Sequence, residues 1–194
     1  MKTIEIQLFK FAELSSEAQQ NAIQKERECM YETGEVLYNF YEYCVEKLTE
    51  CGFVNPKIEY SLSYSQGDGL SFWADSYTIL NDIILRTVGV HHPKITAFLS
   101  NNLALKIKGN KGRYCFASES DIEMELSFYP NNVCPQVISL LDKILENIQS
   151  VYMATCKALE NDGYAEIEYL QSDKAIIETL EANDYDFTAN GKIY

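Results

Sequence analysis

The chain has 194 residues, 46% of them hydrophobic, and a formal net charge of −13 from 29 acids and 16 bases. That length suits one large domain, able to bury about 70% of its unfolded surface without a metal or a disulfide. The charge disfavours general nucleic-acid binding and an anionic membrane surface, and no apolar run approaches the roughly 18 residues of a membrane span.

At the N-terminus Ile4, Ile6 and Leu8 alternate with Glu5 and Gln7, which predicts a short half-buried strand. Glu5, Gln7 and Lys10 interrupt any apolar stretch of the kind a signal peptide needs, so a cytoplasmic protein is expected. A helix starts after Leu14, with Ser16 and Gln19 spaced as a capping box. A second helix follows Gly34, its stripe formed by Leu37, Phe40, Tyr41, Cys44, Val45 and Leu48, and Gly52 marks its end.

Residues 57–74 read as a β-hairpin turned by Ser65-Gln66-Gly67-Asp68-Gly69. Asp75 or Ser76 is placed to cap a helix through Ile79, Ile83 and Ile84, and Pro93 opens another that ends near Asn101. Leu103, Leu105 and Ile107 alternate with Lys106 and Lys108, Gly109–Gly112 turns the chain, 113–117 returns, and a third strand covers 119–128. Pro135 opens a long helix to about Asn161, with Ile144, Leu145, Ile148 and Tyr152 on its apolar face and Gly163 as its stop. Ser172 caps a last helix over 173–183, and Asn190-Gly191 signals a turn.

Strands that arrive as hairpins, with helices grouped at both ends, predict an α+β fold. The expected form is an antiparallel sheet built from hairpins, packed against helices from the N- and C-terminal regions. One domain over residues 1–194 is expected.

Charge patterning supplies the candidate sites. On a strand, Glu119, Asp121, Glu123 and Glu125 share one face while Ile122, Met124 and Leu126 share the other. The carboxylates then stand about 6.7 Å apart. Two readings stand: a solvated face paired with Lys106, Lys108 and Arg113, or a surface that meets a basic partner. Duplex DNA carries a charge per about 1.7 Å, so one such strand is no match for it alone, and a mimic needs further acidic rows. Residues 160–186, with Glu166 and Glu168 among nine acids against the single Lys174, would supply them. The opposite feature is a basic hairpin, Lys106, Lys108, Lys111 and Arg113 beside Tyr114 and Phe116, the alternative nucleic-acid-binding surface.

The remaining signals are weaker. The two glycines at 67 and 69 would admit a phosphate or carboxylate, with Asp68 as an enzymatic carboxylate, yet no Gly-Lys-Ser/Thr follows and a tight turn explains the glycines equally well. His91 and His92 have no ligand or nucleophile at useful spacing, and the loop leading into a helix accounts for them. The six cysteines, Cys29, Cys44, Cys51, Cys115, Cys134 and Cys156, contain no C-x-x-C pair and read as free thiols. No metal, no cofactor and no catalytic residue is expected.

Three stretches belong together: Phe11-Ala12-Glu13-Leu14-Ser15, Tyr64–Gly69, and Ser172–Ile176 with Tyr185-Asp186-Phe187 and Asn190-Gly191-Lys192. They resemble a family of small proteins carried by phages and prophages, one without agreed catalytic residues. The resemblance implies action in a bacterial host cell. Acidic proteins of such origin include inhibitors of host nucleases, anti-CRISPR proteins among them. The implied partner is a host defence protein with a basic surface, such as an RNA-guided CRISPR nuclease.

Overall fold

The computed structural model describes residues 5–33, 37–89, 92–110, 114–127 and 135–194. Among these residues the fold is α+β. Helices α1 (Ser16–Thr33) and α2 (Phe40–Glu50) lead into the short strands β1 (Phe53–Val54), β2 (Lys57–Ser61), β3 (Gly69–Trp73) and β4 (Ser76–Tyr77). Helices α3 (Leu80–Val88) and α4 (Pro93–Asn102) follow, then β5 (Leu103–Lys108) and β6 (Asp121–Leu126). The chain ends with α5 (Pro135–Leu170) and α6 (Asp173–Ala182).

The structure groups into two compact units, one of residues 1–38 with 164–194 and one of residues 39–163. In the first, α1 and α6 enclose Ala18, Ala22, Ile23, Ile176 and Leu180, with Phe11 and Phe187 in edge-to-face contact 6.0 Å apart. Helix α1 opens with Ser15, whose Oγ accepts the Ala18 N–H at 3.3 Å, one residue before the predicted cap. Helix α6 is capped as predicted: Ser172 Oγ accepts the Ala175 N–H. Among the described residues Glu5–Leu8 form no strand pairing, and Ile4 of the expected strand lies outside them. Only Phe9 bridges to Phe187, so Ile6 and Leu8 remain exposed. Gly191 has φ +80°, and a Cβ there would sit 2.0 Å from the Ala18 carbonyl oxygen, so turn and close approach both require glycine.

In the second unit the strands form three antiparallel pairs and not one sheet: β1 with β4, β2 with β3, and β5 with β6. A bridge between Ala74 and Ile107 joins the end of β3 to β5. Their inner faces meet an aromatic stack in which Phe53 lies 4.5 Å from Tyr77 and 4.7 Å from Phe72, and Phe72 lies 4.5 Å from Tyr152 of α5. Ile144, Ile148 and Tyr152 are buried, which agrees with the predicted helix face.

Three elements depart from expectation for local reasons. Residues 75–79 form β4 and a turn in place of a cap, because Tyr77 is buried against Phe53 and pulls Ser76–Tyr77 into pairing with β1. The return at 113–117 is not a strand over its described residues; β6 takes that place beside β5. Gly163 does not end α5. A Cβ there would meet Leu62 Cδ1 at 2.3 Å and Phe40 Cζ at 2.8 Å, so this glycine serves close packing inside the helix. His91, Cys134, Lys111 and Arg113 lie outside the described residues.

Candidate functional site

The acidic strand takes the predicted register with one exception. Asp121, Glu123 and Glu125 are exposed on one face of β6, opposite half-buried Ile122 and Met124 and buried Leu126. Glu119 is off the strand: it closes the 3-10 turn Ala117–Glu119, and its carboxylate accepts the Asn110 side-chain amide at 2.9 Å. The ladder therefore has three rungs, not four. Across from it, Lys108 pairs with Asp121, Lys106 with Glu123 and Ala104 with Glu125. Residues opposed in an antiparallel pair share a face, so two lysines stand among the three acids. Lys108 forms an ion pair with Glu123, which raises the lysine pKa through that hydrogen bond. The face is mixed in sign, and among the described residues Asp121 and Glu125 form no ion pair.

The C-terminal acids divide in the same way. Lys10 bridges Asp184 at 3.1 Å and Asp186 at 2.9 Å, and Arg27 binds Asp173 while donating Nε to the Gln171 carbonyl at 3.0 Å. Glu178 lies 3.9 Å from Lys174, and Asp162 accepts the Tyr43 hydroxyl at 2.8 Å. Glu166 and Glu168 are exposed, flank buried Ile167 and meet no cation among the described residues. Two positions apart on a helix they point about 200° from each other, so they extend the acidic surface around α5 and do not build a row. Exposed Glu181 on α6 likewise has no cationic partner among the described residues. The first unit carries fourteen acids against six bases, a net −8, and the second fifteen against ten, a net −5. Charge is thus densest in the smaller unit.

The serine-glycine loop is held from within. Asp68 Oδ2 accepts the Ser63 N–H at 2.7 Å and the Ser65 N–H at 3.1 Å, while the Ser63 and Ser65 hydroxyls lie 3.0 and 2.8 Å from Oδ1. That network ties the carboxylate to the loop's own amides and hydroxyls. The positive φ of the turn falls on Tyr64, at +56°, and not on either glycine. The glycines serve close approach. A Cβ at Gly67 would lie 2.6 Å from the Tyr114 ring, and one at Gly69 would lie 2.9 Å from the Cys115 carbonyl oxygen.

Among the described residues no group of His, Cys, Asp and Glu is arranged to hold a metal ion. Cys44 and Cys156 are buried, and burial pushes both thiols up to about 12, so they are protonated core residues and not nucleophiles. Among the described residues no helix is long and apolar enough to cross a membrane.

One feature has no counterpart in the sequence patterns. A cleft of about 450 Å³ opens between α2, β2, β3 and β5. Trp73 and Tyr41 supply its aromatic surface, Lys57 and Lys106 its cations, and Glu59 and Asp75 its acceptors. Lys57 is directly opposite Trp73, and the Ala74–Ile107 bridge brings Lys106 to the same place. Asn55, at φ +50°, donates its side-chain amide to Asp75 at 2.9 Å and fixes the rim. Basic Lys57 and Lys106 are 49 positions apart, so only the pairing of hairpins assembles them.

No family model, curated protein or solved structure matches the chain.

Proposed function

We propose that this chain is a phage-encoded, non-catalytic inhibitor of the anti-CRISPR kind, which lays its acidic surface on the basic nucleic-acid channel of a host defence protein such as an RNA-guided CRISPR nuclease. The observation that carries this reading is the distribution of charge. Lys10, Arg27 and Lys174 are already engaged by carboxylates, yet the smaller unit keeps a net −8, and among the described residues Glu166, Glu168 and Glu181 meet no cation. Such a surface attracts a cationic channel and speeds encounter with it. In the second unit Glu119 and Glu123 are taken up internally, by Asn110 and Lys108. With three rungs and a lysine opposite two of them, the β6 ladder is too sparse and too mixed in sign to copy a duplex, so the reading is electrostatic docking. Reversing Glu166, Glu168 and Glu181 to lysine is expected to abolish inhibition of a susceptible nuclease while the circular dichroism spectrum stays unchanged. Full inhibition by that variant would remove the proposal.

Direct nucleic-acid binding is the second reading, favoured by exposed Lys106 beside Trp73. Lys108 is spent on Glu123. An electrophoretic shift of single-stranded DNA or RNA at low salt, lost in Lys106→Glu, would establish it over the inhibitor.

A further inference from the structure

We propose that the cleft between α2, β2, β3 and β5 binds a nucleoside phosphate, with the base against Trp73 and the phosphate between Lys57 and Lys106. This goes beyond the inhibitor reading and does not depend on it. The cleft, at about 450 Å³, falls within the range of small-ligand sites, about 300–1,000 Å³. Its lining combines three chemistries that few ligands satisfy together. Trp73, half-buried, and Tyr41 present π surfaces suited to a planar ring. Lys57 and Lys106 form no ion pair among the described residues, although Glu59 and Asp75 line the same cleft, so both ammonium groups are available to an anion. Glu59 and Asp75 are acceptors for exocyclic amines or ribose hydroxyls, and Asp75 is held in place by Asn55.

Rival ligands use only part of this set. An organic cation meets two lysines. Inorganic phosphate leaves the aromatic surface unused, and a neutral ring leaves the lysines unused. A long polyanion is opposed by the net charge of −13, whereas one phosphate group gains the local contacts at little long-range cost. A mononucleotide fits all of these constraints.

Trp73 is the only tryptophan in the chain, so its emission reports on this cleft alone. The test is titration of the full chain with AMP, GMP, CMP and UMP, followed by Trp73 emission and by calorimetry, with adenosine and inorganic phosphate as controls. The expected result is saturable quenching by at least one nucleotide, with either control about tenfold weaker or worse. K57Q and K106Q are each expected to weaken binding about tenfold, the loss of one charge-assisted hydrogen bond, with an unchanged circular dichroism spectrum. Absence of saturable binding by both methods would overturn the proposal. So would equal affinity for phosphate alone, or unchanged affinity in the K57Q/K106Q double variant.

Discussion

Replacing Tyr152 with phenylalanine isolates one hydroxyl on which the second unit depends. Tyr152 is 1% exposed. Its hydroxyl accepts the Phe72 N–H at 3.0 Å, lies 3.2 Å from the Phe72 carbonyl and reaches Ser120 Oγ at 2.7 Å. One side chain from α5 thereby satisfies both backbone polar groups of a buried residue in β3. Phenylalanine keeps the ring, and with it the 4.5 Å contact with Phe72, so packing is preserved and only the hydrogen bonds are lost. A buried N–H left without an acceptor costs about 1–3 kcal/mol. At about 2 kcal/mol, Tm should fall by about 4–8 °C for a chain of this size. Urea unfolding followed by Trp73 fluorescence should show a lower midpoint at unchanged slope. An unshifted midpoint would mean that the Phe72 amide has another partner and that this hydroxyl holds nothing together.

Gly191→Ala should destabilise the first unit by at least about 2 kcal/mol, because a Cβ 2.0 Å from the Ala18 carbonyl oxygen adds overpacking to an unfavourable φ; thermal melts followed by circular dichroism measure it. Gly163→Ala should also destabilise, overpacking of about 1–3 kcal/mol outweighing about 1 kcal/mol of helix propensity, and Leu62→Ala should relieve part of that loss in a double-mutant cycle. Asp68→Ala should cost about 1–3 kcal/mol by releasing the Ser63 and Ser65 amides, which hydrogen exchange at those two positions would detect. Stability should fall at alkaline pH. The folded chain holds the Cys44 and Cys156 protons up to about 12 against an ordinary value of 9.0, so above pH 9 the unfolded state binds fewer protons and gains. The loss is up to about 1.4 kcal/mol per pH unit for each thiol, and alanine at both positions should flatten the pH profile of the urea midpoint.

Local patterns carried most of the fold. The β2–β3 hairpin, the Pro93 and Pro135 helix starts and the Ser172 cap all follow from side chains within a few residues of the feature they set. The misreadings arose where a distant contact decided. Ile6 and Leu8 alternate as a strand should, but among the described residues no second strand comes to them. Gly163 looks like a stop because a packing glycine and a terminating glycine are the same letter, and only Phe40 and Leu62 distinguish them. The same limit applies to the surfaces. The face shared by Asp121, Glu123 and Glu125 was readable from period-two spacing, but its partial neutralisation depended on the β5–β6 register. The Trp73 cleft draws Lys57 and Lys106 from separate hairpins, and no spacing rule joins them.

The central claim is that unpaired carboxylates on this chain occupy a channel built for nucleic acid. Equilibrium binding of the chain to a guide-loaded CRISPR nuclease, measured in rising salt and in the presence of excess target DNA, tests it most directly. The expected affinity weakens steeply with salt and is competed away by the DNA. Binding indifferent to both, or no binding across a panel of such nucleases, would contradict it.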